Sequence, residues 1–189
     1  IKGLKMRIPG VGGEVLKRAG GIPVTLPGGE LFTALQTGVI DATEWVGPYN
    51  DLTFGFHQIA KYYYYPGWHE PGSMLELLIN KDEWNQLPNH LKAIIETAAK
   101  AVNQDILDEY TAKNNSALRE LVDTHNVELR KLPDDVINEF KLIANQILEE
   151  NAKKDEMVNK VYQSYKSFKK DVSEYHKVSE DAFVEARNN

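Results

Sequence analysis

The chain has 189 residues, a formal charge of -6 and no cysteine. That length carries a sizeable core, as one domain or two small ones, and the lack of cysteine excludes a disulfide framework, a thiolate nucleophile and a cysteine metal site. Lysine and arginine are scattered through an acidic background instead of forming a stripe, which argues against nucleic acid as a partner, and no apolar run approaches the roughly 20 residues that span a bilayer.

The opening IKGLKMRIP has no initiator Met and enters a strand-like run almost at once, so the chain reads as mature or truncated. Residues 4–8 predict a short strand ended by Pro9, and Gly10, Gly12 and Gly13 lead into a helix over 14–19. Gly20 and Gly21 break it, and 23–26 form the next strand. Pro27, Gly28 and Gly29 then open a helix over 30–37, which Gly38 stops, and 39–45 is a third strand. Further strands are predicted at 62–65 and 74–80, separated by the loop PGWHEPG. Strands alternating with short helices favour a parallel or mixed sheet, whose ligands lie off the strand carboxyl ends.

After Lys81 glycine disappears and charged, alanine-rich helical patterns take over. Pro88 is placed to open a long helix towards His125, 126–132 alternates as another strand, and Pro133, Asp134 and Asp135 are a strong helix start. In the last helix Val158, Val161, Tyr165, Phe168, Val172 and Tyr175 recur three and four apart, a seam of the coiled-coil kind that must bury itself against something.

Arg7, Glu44 and Glu70 come from separate parts of the sequence, yet each is predicted at or just past the carboxyl end of a strand. Arginine offers a planar fork for a carboxylate, and acidic side chains accept from donors or bind a hard cation. Two readings stay open from the pattern alone: a structural ion pair at a sheet edge, or a site for an anion bridged by a cation. The glycines near Gly10 lack the spacing of a dinucleotide fingerprint and fit a tight strand-to-helix turn. Trp45 and Trp68 each lie beside a candidate acidic ligand and serve either as packing or as pocket walls. The five histidines form no i, i+4 ligand pair and no HExxH, and only His69 falls near the proposed cleft. No nucleophile elbow and no cysteine offer a hydrolytic nucleophile. Glu44 and Glu70 have a spacing that does not separate metal holding from acid–base work, so a metal-dependent enzyme stays open as the alternative function.

The segments LKMRIPG, LPGGELFTALQTGVIDATEWVGPYND and YYYYPGWHEPGS together resemble the solute receptors of tripartite ATP-independent periplasmic (TRAP) transporters, closest to the branch that binds 2-oxo acids such as pyruvate. The resemblance implies an α/β fold: a periplasmic-binding-protein-like lobe with a mixed sheet, followed by long C-terminal helices, with the family's N-terminal lobe missing. It divides the chain into 1–80, the second ligand-binding lobe with crossing strands, 81–154, a helical region and strand that pack on the first lobe, and 155–189, a long helix for a homodimer. By the same resemblance Arg7 pairs with the substrate carboxylate. Glu44, Trp45 through its backbone carbonyl, and Glu70 hold a metal ion, sodium or calcium, bound together with the substrate. Asn50, Trp45 and Trp68 join Arg7 around the ligand. The implied function is non-enzymatic: capture of a small 2-oxo or 2-hydroxy monocarboxylate in the periplasm and delivery to TRAP membrane permease subunits. Because the other lobe supplies the remaining contacts, the chain alone is expected to bind ligand weakly or not at all.

Overall fold

The computed structural model describes residues 1–72 and 75–188. The chain opens as strand β1 (Lys5–Arg7), helix α1 (Gly10–Arg18) and strand β2 (Ile22–Val24). A 3-10 turn at Gly28–Glu30 leads into α2 (Leu31–Gln36), then β3 (Ala42–Thr43). β1 lies between β2 and β3 in a three-stranded sheet, parallel to both, with Arg7 opposite Val24 and Thr43. The parallel form of sheet is thus realised here, and its carboxyl edge gathers the residues after Arg7, Val24 and Thr43. Gly38 closes α2 at φ +73°, a conformation that glycine adopts without strain.

β3 is far shorter than the strand expected over 39–45. The amide groups of Val39 and Ile40 are both taken by the Ala34 carbonyl at the end of α2, so the chain meets the sheet only from Asp41, whose amide donates to the Lys5 carbonyl at 2.7 Å. Helix α3 (Pro48–Thr53), with Pro48 in its first turn, and a 3-10 turn at Phe56–Gln58 occupy a stretch where no element was predicted. β4 (Tyr62–Tyr65) has the predicted bounds and pairs in parallel with β5 (Glu128–Lys131), from Tyr62 opposite Glu128 to Tyr65 opposite Lys131.

The strand expected over 74–80 is not formed at residues 75–80, and Met74 lies outside the described residues. A strand requires a hydrogen-bonded neighbour, and none of the described residues provides one. Leu75, Leu77 and Leu78 are 73%, 63% and 84% exposed. The chain continues into α4 (Lys81–Gln86), whose first turn is capped by the Asn80 side chain accepting from the Asp82 and Glu83 amides. Then comes α5 (Asn89–Asp123), about 50 Å long at the helical rise. Only Ala117 and Leu121 are buried along it, so its C-terminal portion supplies the packing, against α3.

α6 (Asp134–Lys154) starts after Pro133 as expected. α7 (Glu156–Val178) is capped by Asp155 accepting from the Val158 amide, and α8 (Glu180–Asn188) follows a break at Ser179. Two apolar clusters hold the sheet region. Val15 of α1 meets Phe140, Ile143 and Ile147 of α6, while Leu31, Ala34, Ile40 and Phe56 fill the space beneath α2 and β3. Each fully buried aliphatic side chain contributes about 1.5–3 kcal/mol on leaving water.

Candidate functional site

The parallel sheet brings Arg7 and Glu44 side by side, because β1 and β3 are adjacent and each places one residue at the same edge. Arg7 Nη1 donates to Glu44 Oε1, and Arg7 Nε donates to the Leu26 carbonyl at 3.2 Å. Both side chains are largely buried, at 13% and 10% exposure. Among the described residues Arg7 Nη2 has no protein acceptor, so the guanidinium keeps a donor edge for an anion. The second oxygen of Glu44 lies 3.3 Å from His69 Nε2.

Glu44 and Glu70 line one cleft of about 250 Å3 with His69, Pro9, Gly10, Val11 and Gly12. The glycines of the first strand-to-helix turn form its wall, and Gly10 has φ +59°. A Cβ at Gly12 would press on the Ile8 side chain at 2.9 Å and stand 3.5 Å from His69. These glycines therefore allow the β1–α1 turn to pass close to the PGWHEPG loop, which fits the tight-turn role read from their spacing.

Trp45 follows Glu44, with the Arg7 guanidinium carbon 5.5 Å from its ring centroid and the Phe54 ring at 5.1 Å. Its indole packs on the cluster beneath α2, and its Nε1 is buried without a hydrogen-bond partner among the described residues. Trp68 stacks on Phe140 at 4.3 Å and joins the α1–α6 cluster, the packing alternative of the two that its sequence position allows. It is not among the residues lining the cleft. Asn50 sits in α3, where its Nδ2 donates to the Tyr110 hydroxyl at 3.2 Å and its Oδ1 is buried without a partner among the described residues. Of the expected site residues, Arg7, Glu44, Trp45 and Glu70 thus gather at one edge, with Asn50 and Trp68 on its flanks.

The donor set suits a hard cation in kind, since it offers two carboxylates and a backbone carbonyl. It is short in number: among the described residues no three His, Asp or Glu side chains converge as a metal site. Glu44 is moreover engaged on both oxygens by Arg7 and His69.

Two further residues carry the edge without having been singled out in sequence. Asp51 is 7% exposed, and its Oδ2 accepts from the Tyr63 hydroxyl at 2.5 Å. Burial pushes its carboxyl above the usual range, opposed by the Tyr63 hydroxyl and the Gly47 and Val46 N–H groups, while the Glu44 charge raises it further. Asp51 lies three residues after Pro48, in the first turn of α3, but nothing in its spacing marks it as buried.

Residues 1–155 match the family described as bacterial extracellular solute-binding protein, family 7. A monocarboxylate 2-oxoacid-binding periplasmic protein of Nostoc sp. is 43% identical over 180 residues, which are 95% of this chain and 49% of that protein. A TRAP periplasmic solute-binding protein of Colwellia psychrerythraea, solved with bound calcium and pyruvate, superposes with a TM-score of 0.93 at 40% identity, covering 98% of this chain and 56% of that one. Another from Pseudoalteromonas atlantica, with bound sodium and pyruvate, gives a TM-score of 0.92 at 40% identity and covers 97% of this chain and 56% of that one. The chain spans about half the length of these proteins. The resemblance read from its motifs holds, and the chain belongs to the family 7 bacterial extracellular solute-binding proteins.

Proposed function

We propose that the chain forms the second lobe and C-terminal helices of a periplasmic TRAP receptor that binds a small 2-oxo or 2-hydroxy monocarboxylate. The observation that carries this reading is Arg7, buried beside Glu44 at the carboxyl edge of the sheet with one guanidinium nitrogen left for an anion. It is supported by the pyruvate named with both compared structures and by the 2-oxoacid named with the Nostoc protein. In this reading 1–80 is the ligand-binding lobe, 81–154 packs on the other lobe, and 155–189 serves assembly.

Arg7 selects the ligand by its carboxylate. The Glu44 carboxylate and the Leu26 carbonyl fix the guanidinium plane, so the ligand meets a donor edge that is already oriented. Glu44, the Trp45 carbonyl and Glu70 would hold a sodium or calcium ion, whose chemistry is to bind ligand oxygen electrostatically. Asn50 and Trp45 sit on the side of α3, and Trp68 steadies the loop that carries His69 and Glu70. The loaded receptor passes its ligand to membrane permease subunits, and capture is completed by hinge closure of the two lobes. The alternative of a metal-dependent enzyme finds no support, because the family and the compared proteins are solute binders.

Affinity in the full-length receptor tests the role of Arg7. Arg7→Lys keeps a cation beside Glu44 but removes the planar fork, so pyruvate affinity should fall about 10- to 100-fold, the worth of a charge-assisted hydrogen bond. Arg7→Ala should abolish binding. Unchanged affinity in Arg7→Lys, with wild-type thermal stability, refutes the assignment.

A further inference from the structure

The turn that carries Glu44 and Trp45 runs directly into α3 through Val46 and Gly47, and α3 is held from two sides. Towards α5, the Tyr49 amide donates to Asn114 Oδ1 at 3.0 Å and Asn50 reaches the Tyr110 hydroxyl. Among the described residues, the only bond between side chains towards β4 is the one from the Tyr63 hydroxyl to Asp51, the most deeply buried charged residue. Asp51 also closes the first turn of α3, its amide donating to the Gly47 carbonyl at 2.9 Å, while its Oδ1 is buried without a hydrogen-bond partner among the described residues. Gly47 is two residues beyond Trp45, so a side chain that ties the first turn of α3 to β4 bears on where the chain turns after β3, and with it on the Trp45 carbonyl and the Glu44 side chain.

We propose that Asp51 is a positioning residue of the ligand site: clamped by the Tyr63 hydroxyl, it sets the Glu44–Trp45–Gly47 turn, and ligand affinity depends on this pair although neither residue lines the cleft. The inference deepens the receptor reading and rests on it. Outer-shell groups of this kind orient the groups that touch the ligand, and their loss is felt as affinity without loss of a direct contact. A buried charge that is incompletely paired is itself a cost to the fold. Replacing it by a neutral isostere therefore separates positioning from packing.

The test measures pyruvate affinity by calorimetry, thermal unfolding, and the ligand-free indole N–H NMR signals in the full-length receptor carrying Asp51→Asn, Tyr63→Phe or both. Asp51→Asn should unfold at the wild-type temperature or above it, yet bind pyruvate about tenfold more weakly, because the charge-assisted bond from the Tyr63 hydroxyl becomes a weaker neutral one. Tyr63→Phe should weaken binding by a similar factor, and the double variant should bind no more weakly than Asp51→Asn, since both changes break one clamp. The Trp45 indole signal should move in each variant before ligand is added. Unchanged affinity in both single variants, or additive losses in the double variant, overturns the proposal. So does a loss that follows a matching fall in stability. Should the wild type bind no small carboxylate, the receptor reading fails. The Trp45 signal then decides the positioning role alone: movement in both variants supports it and a fixed signal refutes it.

Discussion

Gly28 lies in the 3-10 turn before α2, and its α-carbon faces the Trp45 indole so closely that the methyl group of an alanine would enter the ring's space. A Cβ built there lies 3.1 Å from both Cζ2 and Cζ3 and closer still to Cη2. Ordinary carbon contacts begin near 3.5 Å, so the indole edge has to withdraw by about 1 Å. The ring has little room to yield. Phe54 lies 5.1 Å away on one side, Phe56 backs Phe54 at 5.6 Å, and Phe56 is 8% exposed within the cluster beneath α2. Gly28→Ala should therefore cost about 1–3 kcal/mol, the usual penalty of an overpacked core. In a protein of this size that lowers Tm by about 2–10 °C. Because the displaced ring belongs to Trp45, its emission should change in the absence of ligand, and the pyruvate affinity of the full-length receptor should fall with it. Gly29→Ala is the control. No atom lies within 4 Å of a Cβ at Gly29, so this change should leave Tm, emission and affinity near their wild-type values. Urea or thermal unfolding followed by tryptophan fluorescence reads the first two. A Gly28→Ala protein that matches Gly29→Ala in all three refutes the packing argument.

Two other expectations concern other faces of the fold. The His57 and His125 rings are stacked at 4.0 Å, and burial, with the His125 charge second, holds the His57 imidazole below its usual value against a small opposing pull from Glu120. The unfolded chain then takes up the proton first, so the His57 contribution to stability is full above about pH 6.5 and is lost as pH falls towards the folded-state value. Unfolding midpoints between pH 8 and pH 5 should fall on acidification, and less steeply in His125→Phe; equal slopes refute the coupling. On α7, Val161 and Phe168 are 62% and 67% exposed within the apolar seam. If this face pairs two copies, Val161→Glu and Phe168→Glu together should halve the mass seen by light scattering without lowering Tm, and an unchanged mass removes the seam from assembly.

Much of the architecture was legible because its punctuation is local. Pro88 opens α5, Gly38 ends α2, Pro133 with Asp134 opens α6, and the β-favouring tyrosines 62–65 are the strand β4. Elements whose form depends on distant partners were not. Val39 and Ile40 look like strand residues but complete the end of α2, and 75–80 has a strand's apolar content without a neighbour among the described residues. α3 begins at Pro48, in a stretch for which the sequence pattern offered no element. The Arg7–Glu44 edge could be read because both residues end predicted strands of one parallel sheet. Asp51, Tyr63 and the His69–Glu44 contact could not, since burial of a single acid and the meeting of a loop with a strand end leave no period in the sequence.

The arrangement of Glu44 also bears on how the proposed receptor would load. Calcium takes six to eight oxygens, and this chain has two candidate carboxylates and one carbonyl to offer. Ligand oxygens and groups from outside the chain must make up the rest, so cation and carboxylate are expected to bind together and more tightly than either alone. Before loading, the Arg7 and His69 contacts keep the Glu44 carboxylate from lying buried and unpaired at the sheet edge. An incoming carboxylate needs an orienting cationic partner, and Arg7 can meet it with Nη2 while Nε stays on the Leu26 carbonyl. In the proposed receptor the guanidinium would therefore stay in place, while Glu44 would share its bonds among Arg7, His69 and a cation. On that proposal binding would demand little movement around Arg7, and the energy of joint coordination would be available to draw the two lobes of the receptor closed.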